Sequence, residues 1–344
     1  MKVLVTGTDG YIGTLLAPVL MQRGHDVVGL DTGYYRDGWL YSDGKFFGRY
    51  PATINKDLRH VTEADVSGFD AVVHLAELSN DPLGQNNPEN TFKINHQGSV
   101  RLAEIAKRQG LSRFVYTSSC SVYGLGSGEF LTEADETNPQ TAYAQCKVLV
   151  ERDVGRLADD KFSPTFLRNA TAYGASPRMR FDIVLNNLSG LAFTTKRIAM
   201  VSDGSPWRPI VHILDICKAV ACALEAPREA VHNEIFNVGR NDENTRIREI
   251  AEIVASVFPG CQLTVGPSGG DHRSYRVSFD KIHERLPGFS CDWTAEAGAK
   301  QLKAVFDRIT MSPEMFDFRA FTRLRQLEYL IKTGQIDGEF FWRY

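Results

Sequence analysis

Lys2-Val3-Leu4-Val5-Thr6, followed directly by Gly7-Thr8-Asp9-Gly10-Tyr11-Ile12-Gly13, is the stretch that decides the fold. The first five residues are mostly β-branched or aliphatic, and beyond the glycines apolar residues recur at Ile12, Leu15, Leu16, Val19 and Leu20. That pattern predicts a strand, a tight turn and a helix. Glycine suits a backbone that turns sharply and lets a pyrophosphate approach, and the free N–H groups of the following helix start favour an anion. The spacing is Gly-x-x-Gly-x-x-Gly, where the commoner dinucleotide fingerprint is Gly-x-Gly-x-x-Gly. A second strand, from Asp26 to Leu30, runs into Asp31, whose carboxylate is placed to accept both hydroxyls of a ribose and to repel a 2′-phosphate. The expected cofactor is therefore NAD, with Gly7, Gly10, Tyr11, Ile12, Gly13 and Asp31 around it. Pro18 inside the helix pattern removes one backbone donor and should bend the helix.

The chain of 344 residues, 43% hydrophobic, is long enough to bury a full core, as one large domain with a lobe or two closely joined domains. A net charge of −3 gives no broad basic surface for nucleic acid. No apolar run reaches membrane-spanning length, and the amino end enters a strand without a basic segment and apolar stretch. Those features predict a cytoplasmic protein with no membrane partner. Six cysteines are scattered without metal-ligand spacing, so reduced thiols and no metal are expected.

Strand and helix patterns alternate through Ala71-Val72-Val73-His74-Leu75, a helix from about Pro88 to Gln109, a strand from Arg113 to Thr117, a helix around Tyr143 and a strand from Thr165 to Arg168. Such repetition predicts an α/β fold with a doubly wound parallel sheet and a binding crevice at the carboxyl ends of its strands. Beyond about residue 170 the pattern is mixed. Pro/Gly-rich stretches at 203–209 and 266–270 suit a smaller C-terminal substrate-binding lobe, giving a cofactor domain at 1–170 interleaved with a lobe at 171–344. The stretch from Ser312 to Tyr344 has a helical pattern at Phe318, Phe321, Leu324, Leu327 and Leu330, and reads as a docked surface helix.

Tyr143-Ala144-Gln145-Cys146-Lys147 places a phenol and an amine one helical turn apart. An ammonium near a phenol stabilises phenolate and makes tyrosine a usable base near neutral pH. Ser119, at a strand end beside that helix, is placed to donate to the sugar oxygen whose proton Tyr143 takes, leaving hydride to pass to the nicotinamide. Lys147 is placed to hydrogen-bond the nicotinamide ribose.

With these pieces in view, the chain resembles the extended short-chain dehydrogenase/reductase family, in particular its nucleotide-sugar epimerases and dehydratases. The resemblance covers most of residues 1–310. It rests on Thr6 to Gly13, Asp31, Asp57-Leu58, His74-Leu75-Ala76, Asn95, Phe114 to Gly124, Tyr143 to Lys147, Leu167 to Gly174, and Arg208 through His212 to Asp215. It implies a Rossmann domain and a homodimer. Asp57 and Leu58 would hold the adenine, Leu75 and Ala76 would line the cofactor, and Asn95, counted with the cofactor-binding residues, would support the helix near the active site. Ser79, Thr171, Arg180, Asn187, Arg208 and Arg273 would meet a nucleotide-diphosphate sugar, with Arg178, Asn186 and Arg276 nearby.

Departures from the family pattern bear on the reaction. Where 4,6-dehydratases carry Asp-Glu after the strand-end hydroxyl, this chain has Cys120-Ser121, and where many 4-epimerases carry Asn it has Thr171. Cys120 is either an unusual acid or base, if its pKa is lowered, or a small buried filler. The expected function is an NAD-dependent nucleotide-sugar epimerase. A dehydratase using Cys120, a simple reductase, and a non-catalytic NAD-binding sensor remain as alternatives.

Overall fold

A computed structural model describes residues 1–42, 50–79, 87–269 and 273–343; Gly270, at the end of the second Pro/Gly-rich stretch, and Tyr344 lie outside the described residues. In chain order the strands are β1 (Lys2–Thr6), β2 (Asp26–Asp31), β3 (Thr53–Asn55), β4 (Ala71–His74), β5 (Arg113–Ser119), β6 (Leu125–Leu131), β7 (Ser163–Asn169), β8 (Thr171–Tyr173), β9 (Arg197–Ala199), β10 (Trp207–His212), β11 (Glu234–Val238), β12 (Asn244–Arg246), β13 (Gln262–Thr264) and β14 (Ser274–Val277). The longer helices are α1 (Gly13–Gln22), α2 (Ser99–Arg108), α3 (Ala142–Gly155), α4 (Val184–Thr195), α5 (Ile213–Glu225), α6 (Ile247–Val257), α7 (Ala295–Ile309) and α8 (Arg323–Lys332).

Seven strands form one sheet in the order β11-β7-β5-β4-β1-β2-β3, and every neighbouring pair is parallel. Side chains alternate across it. Val3 and Val5 enter one core with Leu15, Leu16 and Leu20 of α1 and Ile216, Ala219 and Val220 of α5. Leu4 enters the opposite core with Leu102 and Ala106 of α2 and Val150 and Val154 of α3. Both faces are thus covered, which is why β1 reads as an unbroken apolar run. The strand order reverses between β1 and β4, and the crevice opens at their carboxyl ends, beside Gly7 and Leu75.

The division near residue 170 is crossed in both directions. From the later half, β11 pairs with β7 in the main sheet and α5 packs on it. From the earlier half, β6 pairs with β14. The lobe itself holds β8, β10 and β12 in one small sheet, β9 with β13, and α4, α6 and α7 packed together.

Two expectations change. The helix from Pro88 to Gln109 contains a wide turn at Phe92–Gly98 between Pro88–Thr91 and α2. The C-terminal stretch is not one helix: a turn at Pro313–Phe316, another at Arg319–Phe321 and α8 are followed by a strap closed by an Ile336–Trp342 bridge. Leu327, Leu330, Ile336 and Phe340 pack with Tyr34, Leu78 and Ile94. Trp342 Nε1 donates to Thr32 O at 2.7 Å and Gln326 Nε2 to Tyr34 O at 2.9 Å. The extension therefore lies against the loop that follows Asp31.

The glycine turn is set by contact as much as by dihedral freedom. Gly7 has φ +79°, and a Cβ there would lie 2.9 Å from Ala76 N. A Cβ on Gly13 would lie 2.1 Å from Gly7 O, a backbone atom that cannot swing away. Gly13→Ala is expected to destabilise the protein by about 1–3 kcal/mol through overpacking and to lower dinucleotide binding, checked by thermal melting and by nucleotide titration of the same preparation.

Candidate active site and cofactor crevice

Helix α3 brings the catalytic candidates to the crevice. Thr141 starts it by accepting the Ala144 N–H on Oγ1 at 3.2 Å. Tyr143, Lys147 and Glu151 recur at four-residue spacing on the face turned to the sheet. Glu151 accepts from Ser118 Oγ at 2.5 Å and pairs with Arg168 at 2.8 Å. One turn earlier, Lys147 Nζ lies 2.5 Å from Glu77 Oε2 and donates to Thr117 O at 2.5 Å. Tyr116 donates its phenol hydrogen to Glu77 Oε1 at 2.5 Å. Lys147 Nζ sits 5.3 Å from the centre of the Tyr143 ring. Burial pulls the Lys147 ammonium down, but Glu77 and Tyr143 outweigh it and hold the pKa above the usual lysine value. Burial raises Glu77 in turn, against the pull of Lys147.

A crevice of about 860 Å³ is lined by Ser119, Tyr143 and Lys147 together with Gly7, Gly10, Tyr11, Ile12, Gly13, Asp31, Asp57, Leu58, Leu75 and Ala76. The volume lies in the upper part of the range for cofactor pockets. Its walls fit a dinucleotide. The N–H groups of Tyr11 and Ile12 find no acceptor among the described residues, leaving an anion cradle at the start of α1. Asp31 accepts from the N–H groups of Asp9 at 3.0 Å and Gly33 at 2.7 Å, with its carboxylate still lining the crevice. Burial, reinforced by Asp9, raises its pKa to about 6. Asp57 also lines the crevice, its carboxylate held by Arg59 through Nε at 2.9 Å and Nη2 at 2.8 Å. Tyr11 keeps its backbone at the crevice while its hydroxyl donates to Gly174 O at 2.7 Å.

The same crevice is also lined by Ser79, Thr171, Arg180, Asn187, Arg208 and Arg273. Arg180 pairs with Asp182 at 2.8 Å and donates to Ser79 Oγ at 3.3 Å. Arg208 is buried, donates to the carbonyls of Trp207 and Arg273, and has its guanidinium 5.6 Å from the centre of the Tyr275 ring.

Several sequence expectations are corrected. Cys120 is 1% exposed, its thiol donates to Arg168 O at 3.1 Å, and it does not line the crevice. Burial pushes its pKa far up, so it is the small buried filler and not an acid or base. Asn95 does not line the crevice either. Its amide accepts from Leu78 N at 2.8 Å and donates to Leu78 O at 3.0 Å, so it shapes the loop after β4. Asn186 ties Tyr11 to Gly174, Arg178 donates to the carbonyls of Tyr35 and Arg36, and Arg276 lies over Phe130 and Trp207; none of the three lines the crevice. Glu77, Asp182 and Arg323 were missed. Glu77 sits two residues beyond Leu75 in the quoted motif, which was its one available signal.

A parallel sheet with its switch point at a glycine turn, a carboxylate at the end of β2 lining the crevice and a strand-end serine beside a Tyr-x-x-x-Lys helix define a short-chain dehydrogenase/reductase of the extended type. The NAD dependent epimerase/dehydratase family model matches residues 3–239. The chain belongs to that family, and its cofactor is NAD. It is 30% identical to a UDP-glucose 4-epimerase of Corynebacterium glutamicum over 86% of this chain and 91% of that one. It is 26% identical to a UDP-N-acetyl-alpha-D-glucosaminuronate decarboxylase of Bacillus cytotoxicus over 83% and 88%. Among solved structures, MoeE5 in complex with UDP-glucuronic acid and NAD superposes with a TM-score of 0.76 at 25% identity, over 90% of this chain and 100% of that one.

Two outcomes are expected from the electrostatics. Glu77→Gln leaves Lys147 buried without its counter-ion, and denaturant unfolding should show a loss of about 3–5 kcal/mol. Asp31 gains a proton as the pH falls through about 6, so it stops presenting an anionic acceptor below that value. NAD binding to the cofactor-free chain, followed by calorimetry, should weaken between pH 7 and 5, and Asp31→Asn should flatten that dependence.

Proposed function

We propose that the chain is a nucleotide-sugar epimerase that restores its cofactor within each catalytic cycle. The observation that carries the reading is the sharing of one crevice by Ser119, Tyr143 and Lys147 and by Thr171, Asn187, Arg208 and Arg273. A pair of guanidinium groups suits the diphosphate of a nucleotide sugar. NAD supplies a ring that takes hydride from a sugar carbon and gives it back. Tyr143 removes the hydroxyl proton from that carbon and later returns it. Lys147 has three donors, of which Glu77 and Thr117 O engage two, leaving one to hold a ribose hydroxyl beside Tyr143. Ser119 orients the sugar oxygen; its own Oγ accepts from Ser121 N at 3.2 Å, which leaves its hydrogen free to donate.

The relatives support this choice, since a UDP-glucose 4-epimerase is among them. A dehydratase working through Cys120 loses its basis with the thiol turned away. A sensor of NAD has no use for the Tyr143–Lys147 pair. The reading includes a homodimer in the cytoplasm, which analytical ultracentrifugation and cell fractionation check. No described helix is long and apolar enough to cross a membrane.

Incubation with UDP-glucose and UDP-glucuronic acid, followed by NMR and mass spectrometry, should give an epimer of unchanged mass with no net NADH. Loss of water, or stoichiometric NADH, overturns the epimerase reading. Tyr143→Phe is expected to lower turnover by at least about 100-fold while leaving NAD binding within a few fold.

A further inference from the structure

The C-terminal extension brings into the crevice a side chain that sequence reasoning left on a surface helix. Arg323, the first residue of α8, is 3% exposed and lines the cavity. Its backbone N–H donates to Asp182 Oδ2 at 3.1 Å. Its guanidinium forms neither a hydrogen bond nor an ion pair among the described residues, and its Cζ sits 3.9 Å from the centre of the Tyr35 ring. A guanidinium lying over a ring without a hydrogen bond keeps its N–H donors available to another group.

Four other cations of the crevice are engaged. Lys56 holds Asp65, Lys147 holds Glu77 and Arg180 holds Asp182; Arg208 donates to two carbonyls. Arg323 is left without a carboxylate, and burial together with Arg180 pulls it down to about 10, the mark of a site short of negative charge. Its electrostatic neighbours are Arg180, Tyr35, Asp182 and Asp31. On the proposed NAD site Asp31 takes the adenosine ribose, while Arg180, an electrostatic neighbour of Tyr143, and Ser79, which it contacts, stand toward the reacting end. A dinucleotide spanning those points carries its pyrophosphate between them, where the unpartnered N–H groups of Tyr11 and Ile12 approach from the glycine turn.

We infer that Arg323 is a ligand of the cofactor pyrophosphate, delivered by the C-terminal extension to the side of the dinucleotide away from the glycine turn. The extension is then part of the cofactor site and holds NAD in place between turnovers. The inference rests on the NAD site and is independent of which sugar reacts.

The test uses the full-length chain with Arg323→Gln and Arg323→Lys. NAD content after purification and exhaustive dialysis is measured by chromatography of the released nucleotide. The nucleotide-free proteins are then titrated with ADP, which carries the diphosphate, and with adenosine, which does not. Arg323→Gln should raise the Kd for ADP by about 10- to 100-fold, the equivalent of one charge-assisted contact, leave that for adenosine within about twofold, and lose bound NAD. Arg323→Lys should recover part of the ADP affinity. An unchanged ADP affinity, equal weakening of ADP and adenosine, or an effect confined to the KM of the nucleotide sugar overturns the inference. Melting curves verify that the variants are folded, and if the glutamine variant is not, the ADP-to-adenosine comparison in the lysine variant decides.

Discussion

A buried ion pair between Lys147 and Glu77 is the constraint on which the site depends. Lys147 is 3% exposed as a residue, and an ammonium so far from water persists only with a counter-charge and good hydrogen bonds. Glu77 supplies the charge, Thr117 O a second acceptor, and Tyr116 fills the other oxygen of Glu77. These contacts join α3 to the loops after β4 and within β5, so the helix cannot rotate without exposing a charge to an apolar core. One turn further on, Glu151 repeats the device with Arg168 and Ser118. Two pinned turns fix the axial rotation of α3, and Tyr143, one turn before them, is aimed into the crevice as a consequence.

A neutral polar relay does the corresponding work beneath the cofactor loop. Ser99 donates to Asn95 O at 2.5 Å, which leaves its oxygen to accept from His74 Nε2 at 2.7 Å. His74 Nδ1 must then accept the Thr6 hydroxyl hydrogen at 2.6 Å, and Thr6 Oγ1 in turn accepts the N–H groups of Leu75 and Ala76 at 3.2 Å. Every member has one role, so a single tautomer is selected. Burial and the charge of Lys147 push His74 down to about 3, so the imidazole stays neutral and adds no second cation beside the site. The relay fixes the peptide of Ala76 against Gly7, the approach that leaves no room for a Cβ there.

What could be read from the sequence was whatever the chain writes over short distances. The glycine turn, Asp31 and the Tyr143-to-Lys147 spacing are local patterns, each with a geometric reason, and the βα alternation implied a parallel sheet. The missed residues act across long separations. Glu77 and Lys147 are 70 positions apart, and Arg323 meets Tyr35 only because the extension folds back over the loop after β2. Cys120 misled for the opposite reason: adjacency to Ser119 in sequence suggested a shared crevice, but at a strand end consecutive side chains point to opposite sides. The C-terminal pattern was helical in period, yet Thr322 and the turn before it interrupt it, so helix forms at Arg323–Lys332 and a strap follows.

The surroundings of the strand-end serine also bear on which reaction this member of the family can run. Removing water from a sugar needs a proton donor for the departing hydroxyl and a base for the carbon-bound proton, in addition to the redox pair. After Ser119 the chain offers a buried thiol, which points at a carbonyl, and Ser121, whose hydroxyl is buried at the crevice without a partner among the described residues. A thiol raised so far by burial is a poor acid and an absent base, and an alcohol exchanges protons near neutral pH only with help from a neighbouring base. On the proposed reading Tyr143 and Lys147 move one proton and permit one hydride transfer in each direction, and the described residues that follow Ser119 offer elimination no second acid–base couple.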